Sequence, residues 1–169
     1  IERVTAVTHA NACCALANLI YVAFAGRLFH GDDKEAAWAY TREKIEAVVA
    51  ADPRLQTVQH HYARLLSEDF LQTLSEELSG SGYVVHTLES AVWCLLHTQD
   101  YRSCVLAAVN LGEDTDTTAA VAGGLAGLAG LTEINGVQHM LLQNFNSSIG
   151  SFGIGIAILA NGSPIGCIF

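Results

Sequence analysis

Basic residues are scarce in this sequence: 8 Lys and Arg stand against 17 Asp and Glu among 169 residues, and the formal net charge is −9. No run of Lys or Arg occurs anywhere. A duplex-binding surface needs clustered cations to neutralise phosphates, so a nucleic-acid duplex is excluded as a partner. A small anion held by backbone N–H groups is not excluded. There is no Cys-x-x-Cys pair, and Cys13, Cys14, Cys94, Cys104 and Cys167 form an odd set. That argues against a disulfide framework and for a reduced, cytoplasmic protein. Vicinal Cys13 and Cys14 fall in an apolar helical run and read as buried thiols behaving like small hydrophobes. Also missing are a Gly-x-Ser-x-Gly elbow, a Cys–His pair at a recognisable spacing, and any Gly-Lys-Ser/Thr after the glycines at 123–130. No signal peptide opens the chain. The apolar stretch from Ala10 to Phe29 is broken by Asn11, Asn18 and Arg27, which a membrane span tolerates poorly, so it reads as a buried core helix and no membrane is expected.

What is present is apolar: 51% hydrophobic against 15% charged residues, enough for a core in a chain of one-domain length. Thr8 is the expected N-cap of a helix from about His9 to Phe29, stopped at Gly31. Asp32 or Asp33 caps a second helix that Asp52-Pro53 ends, because the residue before proline avoids the helical region. A third helical block, amphipathic, is expected from about Thr57 to Leu78, with Val58, Tyr62, Leu65, Leu66 and Phe70 on one side. Gly80-Ser81-Gly82 breaks it. Helical spacing then returns from Val84 to Thr98 and from Tyr101 to Val109. The last helix, about Asp116 to Leu128, contains Gly123, Gly124 and Gly127. Each costs about 1 kcal/mol relative to alanine, so a neighbouring helix is expected to approach that bare face closely. From Asn144 the chain turns to Gly, Ser, Ile and Phe in extended or irregular runs.

Asp114 and Asp116, with Thr115, Thr117 and Thr118, place two carboxylates and several hydroxyls within one turn of a helix start. Such oxygen-rich clusters suit hard cations. At a loop-to-helix junction, residues i and i+2 face one point, and Gly112 lets backbone approach a ligand. The bland alternative is an N-cap, since Asp and Thr are what a helix start prefers. An EF-hand is excluded: its glycine position is Ala119 and its bidentate position is Leu125. His60-His61, His30, His97 and His139 read as solvated side chains without ligand partners, and Trp93 and Tyr101 as core.

The run Leu111-Gly112-Glu113-Asp114-Thr115-Asp116-Thr117-Thr118-Ala119-Ala120-Val121-Ala122-Gly123-Gly124 resembles the C-terminal hallmark of ADP-ribosylglycohydrolases of the dinitrogenase-reductase-activating type. Ser81-Gly82-Tyr83-Val84-Val85-His86-Thr87-Leu88-Glu89-Ser90-Ala91-Val92-Trp93 is similar to a second motif of that family, and Thr8-His9 before a long helix to a third. The resemblance covers about residues 4 to 130 and corresponds to the family's C-terminal half. It implies an all-α, orthogonal multi-helix bundle over 1–130, partial, with 131–169 as an atypical tail. It further implies a metal-dependent hydrolase that removes ADP-ribose from modified proteins or small ADP-ribosyl conjugates by cleavage at C1″. By the same resemblance, Asp114, Asp116 and Thr117 correspond to ligands of a binuclear Mg²⁺ or Mn²⁺ site. Gly112 and Glu113 lie on the loop facing ADP-ribose, Gly82 and Tyr83 wrap the nucleotide, and His9 borders the cleft. The alternative is a truncated relative that binds ADP-ribose without turnover or is purely structural.

Four departures from the family pattern bear on this. Glu113 replaces a second glycine, and His86 replaces an aspartate. The family's N-terminal Gly-Asp-rich start and Thr-Asp-Asp triplet do not occur, and Leu131–Phe169 does not follow the family's usual ending. The chain begins at Ile1 rather than Met, so a missing N-terminal half is expected to be a partner.

Overall fold

Asn11, not Thr8, opens the long first helix. Its Oδ1 accepts the Cys14 N–H at 2.8 Å, and the helix runs Ala12–Phe29. Thr8 and His9 instead turn back on a short preceding helix, both donating their N–H groups to the Thr5 carbonyl. The computed structural model describes residues 1–132, which make one compact unit containing seven α-helices and no strand among the described residues. These are α1 (Glu2–Thr5), α2 (Ala12–Phe29), α3 (Lys34–Ala51), α4 (Pro53–Gln56), α5 (Val84–His97), α6 (Tyr101–Asn110) and α7 (Thr115–Thr132). An atypical tail is expected from residue 131, but α7 continues to Thr132; the extended or irregular runs expected from Asn144 lie outside the described residues.

Helix α2 is long and apolar enough to cross a membrane by length and composition alone. Here it is a core helix. Leu16, Ile20, Phe24 and Leu28, spaced by four, are fully buried against α3, α5 and α7. Asp33 Oδ1 caps α3 through the Ala36 N–H at 2.9 Å, and Pro53 begins α4 where α3 stops. Trp38 of α3 meets Phe24 edge-on at 5.2 Å and Phe70 at 6.1 Å. Lys34 Nζ donates to the carbonyls of Leu95, Leu96 and Thr98, where α5 ends with unpaired acceptors and a negative dipole.

The block from Thr57 to Leu78 departs from its expected helix. It is a chain of 3₁₀ turns, Gln59–Tyr62, Glu68–Gln72 and Ser75–Glu77. The apolar residues are buried as their spacing required: Tyr62, Leu65 and Phe70 are inside. The backbone, however, bonds to side chains of other helices. Arg42 donates to Ser67 O, Ser90 to Ser79 O, Trp93 to Thr73 O and His97 to Leu71 O. Arg64 grips the buried Glu89 carboxylate with two donors, at 2.6 and 2.5 Å, while its Nη1 holds Glu77 O. These tertiary bonds displace the local i→i−4 ladder. Trp93 and His97 are thereby neither plain core nor free: their rings stack at 4.1 Å and staple this segment to α5.

The α7 glycines divide. A Cβ on Gly123 would meet the Tyr101 hydroxyl at 3.3 Å and Val105 at 3.4 Å, so α6 does pack closely there. At Gly124 it would meet the Tyr21 hydroxyl of α2 at 2.6 Å. At Gly127 no atom of the described residues lies within 4 Å, so the close approach expected there is not made by α2, α5 or α6.

Candidate functional site

Three helices start around one cavity of about 570 Å³. Its wall includes Asn11, Cys13 and Cys14 at the N-terminus of α2, Tyr83, Val84 and Thr87 at that of α5, and Thr117 in the first turn of α7. Helix N-termini carry unpaired N–H groups and a positive dipole end. Among the described residues no Lys or Arg lines the cavity, so these ends are the main source there of positive potential for an anion.

Four residues singled out in the sequence, His9, Gly82, Tyr83 and Thr117, line this cavity together although they are far apart in the chain. Asp114 packs against one of them, Gly82. A Cβ on Gly82 would stand 2.5 Å from Asp114 Oδ2, so the bare glycine leaves the space that the carboxylate occupies. The Asp114 N–H donates to Gly80 O at 2.8 Å. Gly80 itself packs on the Gly112 carbonyl so tightly that a Cβ would come within 2.2 Å of its oxygen. The loops 79–83 and 111–114 are therefore locked face to face. The neighbouring Thr117 side chain, and next that of Asp116, hold the Asp114 carboxyl below the usual carboxylate range. Asp114, Asp116 and Thr117 thus lie together at the loop and first turn of α7, and of the three Thr117 lines the cavity.

Gly112 and Glu113 do not line the cavity. Both have positive φ, 83° and 58°, so the glycine expected at 113 would suit the backbone better than the glutamate found there. Glu113 Oε2 accepts a hydrogen bond from Ser79 Oγ at 3.3 Å. His86 points its Nδ1 at Ser81 Oγ, 2.8 Å away, and sets its ring edge-on to Tyr83 at 5.1 Å. His60 and His61 sit in a 3₁₀ turn with their rings 4.1 Å apart and tilted by 36°.

Cys13 and Cys14 are not simple core thiols, since both are half-buried and line the cavity. Tyr62 donates its hydroxyl proton to Cys13 O at 2.7 Å, and Cys13 Sγ lies 3.5 Å from the hydroxyls of both Tyr62 and Tyr83. With Tyr62's single proton committed, the thiol donates to Tyr62 and the Tyr83 hydroxyl donates to sulfur. Burial, with the Cys13 contact, pushes the Tyr62 phenol far above its ordinary range. By contrast, Cys94 and Cys104 are core thiols, pushed up to about 12 and about 11 by burial.

The sequence reading missed the α2 wall. Asn11, Cys14, Asn18 and Tyr21 recur at spacings of three, four and three, a helical stripe that all faces the cavity. That periodicity was available, but a stripe of mixed polarity in an apolar helix is hard to separate from tolerated core residues.

Among the described residues no group of three or more His, Cys, Asp or Glu side chains is placed to hold a metal ion. Two carboxylates and a hydroxyl do suit a hard divalent cation, whose shell takes about six oxygens. The donor set fits as part of such a shell.

A family model described as ADP-ribosylglycohydrolase matches residues 1–143. The chain is 33% identical over 133 residues to an ADP-ribosylarginine hydrolase Tri1 of Pseudomonas putida (strain GB-1), covering 75% of this chain and 31% of that protein. It is 39% identical over 59 residues to the Tri1 of Serratia proteamaculans (strain 568), covering 35% of this chain and 16% of the relative. An ADP-ribosyl-[dinitrogen reductase] glycohydrolase of Rhodospirillum rubrum is 43% identical over 47 residues, 28% of this chain and 16% of that protein. The chain spans less than a third of the length of these relatives. No solved structure matches it.

Proposed function

This chain belongs to the ADP-ribosylglycohydrolase family, and on that premise we propose that it forms part of a hydrolase that removes ADP-ribose from a modified protein or small conjugate. The observation that carries this reading is the convergence of His9, Gly82, Tyr83 and Thr117 on one cavity, with Asp114 packed against Gly82. The names of the two Tri1 relatives favour an arginine-linked acceptor.

In the proposed reaction the bond from C1″ to the acceptor breaks, the oxygen of water joins C1″, and the acceptor leaves with a proton. Asp114, Asp116 and Thr117 would hold Mg²⁺ or Mn²⁺, and the remaining donors come from water, sugar hydroxyls or residues beyond those described. Such a cation supplies Lewis acidity and an anchor for vicinal hydroxyls. The two aspartates act as ligands and as negative charge near the oxocarbenium-like centre rather than as nucleophiles. The converging N-termini of α2, α5 and α7 favour the anionic diphosphate, and Tyr83 offers an aromatic face at the rim. The four described cysteines, all free, support a reducing, cytoplasmic setting.

A second reading, an ADP-ribose-binding module without turnover, is favoured by the short donor set among the described residues. Release of ADP-ribose from an arginine-modified protein with Mg²⁺ present separates the two. Turnover that is lost in Asp116→Ala supports the hydrolase. Calorimetric binding of ADP-ribose with no release supports the module. Release that survives Asp116→Ala would overturn the site.

A further inference from the structure

The cavity wall formed by α2 carries one polar group that the proposed site leaves unused. Tyr21 lies on the same helical stripe as Asn11, Cys14 and Asn18 and lines the cavity. Its ring is half-buried, yet its hydroxyl has no hydrogen-bond partner among the described residues. The hydroxyl keeps solvent access on the cavity side, so its proton is available to a ligand there. It does not drift free, however: it lies over the bare backbone of α7, where a Cβ on Gly124 would come within 2.6 Å of it. Thr117, Val121 and Gly124 share one face of α7 at spacings of four and three. At 1.5 Å per residue the Tyr21 hydroxyl therefore lies about 10 Å along the helix from the Thr117 end.

With this geometry, and resting on the reading of the cavity as an ADP-ribose site, we propose that Tyr21 is a binding residue whose hydroxyl donates a hydrogen bond to the adenosine-diphosphate part of the ligand. A sugar diol drawn to Asp114, Asp116 and Thr117 leaves the rest of the molecule to extend along α7 toward Tyr21. Among the described residues the lining offers no Lys or Arg, so the ligand's phosphate and base acceptors must be met there by neutral donors and helix ends. Burial raises the phenol above its ordinary range, which keeps the proton in place for donation at neutral pH. Gly124 then has a functional reason to be glycine: any side chain there displaces the donor.

The test is calorimetry on the full chain with Mg²⁺, titrating ADP-ribose and, separately, ADP. Tyr21→Phe removes one oxygen and leaves the packing. It is expected to weaken both ligands about five- to tenfold, the size of one neutral hydrogen bond, with an unchanged melting temperature and unchanged Mn²⁺ binding by electron paramagnetic resonance. Gly124→Ala, which moves the hydroxyl without removing it, should weaken both ligands in the same way. Equal affinities for wild type and Tyr21→Phe would overturn the assignment while leaving the proposed function intact. A loss confined to ADP-ribose, with ADP unaffected, would also overturn it, by moving the contact to the sugar end. Failure of the wild-type chain itself to bind ADP-ribose would overturn the functional reading and this inference with it.

Discussion

Gly82 shows how much of the site depends on an absent side chain. The Asp114 carboxylate occupies the space a Cβ would fill, 2.5 Å from Oδ2. Gly82→Ala therefore pushes aside the end of a flexible side chain rather than backbone. The melting temperature should move by no more than about 2 °C, as for a surface change, while Mn²⁺ affinity, read by electron paramagnetic resonance, falls at least about tenfold as a displaced ligand requires. An unchanged affinity would separate Asp114 from the metal. Glu113 presents the reverse case. It holds φ of 58°, where a side chain is strained and glycine is not. Glu113→Gly should stabilise the chain by up to about 1 kcal/mol in urea unfolding, the relief of strain exceeding glycine's greater freedom when unfolded. A net loss would mean that the Ser79 hydrogen bond outweighs the strain. The motif identifies both residues in sequence. That Gly82 faces Asp114 across 32 positions is a fact of folding alone.

At the scale of elements, the segment between α4 and α5 is ordered by its partners. Glu89 is 3% exposed and paired by Arg64, whose side chain is 43% exposed. Arg64→Ala leaves a buried carboxylate without its partner and should cost about 2–4 kcal/mol, somewhat below the range for a fully buried pair. The double variant Arg64→Ala/Glu89→Leu should recover part of that loss in chemical denaturation. The amphipathic pattern from Val58 to Phe70 correctly marks what is buried but not the backbone that buries it. Periodicity reports a face, whereas the choice between α and 3₁₀ here rests on Ser90, Trp93 and His97, which lie outside the segment.

Helix caps are more local and more legible. Asp100 caps α6, and its carboxyl is held below the ordinary range by the Ser103 hydroxyl and then by the Ser103 N–H. A depressed folded-state pKa means that the stabilisation is present above the ordinary carboxylate value, about 4, and is lost as pH falls through the lower folded value. Asp100→Ala should cost about 1 kcal/mol at pH 7. The gap between the two melting curves should narrow at pH 3. Asn11 was the harder cap to read, because Thr8 offers the same chemistry three residues earlier and only α1 makes Thr8 part of a turn.

For the whole molecule, α7 is the element on which α2, α5 and α6 meet. Leu125 is fully buried at that junction. Leu125→Ala should cost about 2–5 kcal/mol, and circular dichroism and tyrosine fluorescence should report a single shared transition if residues 1–132 unfold as one unit. Separate transitions would show that α7 docks on a bundle already stable without it.

The sequence by itself determined the helical class, the membership of a family, the apolar faces and the position of the acidic run around Asp114 and Asp116 at a helix start, because each is written locally in spacing and motif. Only the tertiary structure decided that His9 and Tyr83 border the same cavity as Thr117, and that Cys13 and Cys14 are half-buried along it. It also decided that Tyr21 stands over Gly124, and that an acidic chain can surround an anion-sized cavity with helix ends instead of cations. These are contacts between residues far apart in the chain, set by how α2, α5 and α7 pack, and no local pattern encodes them.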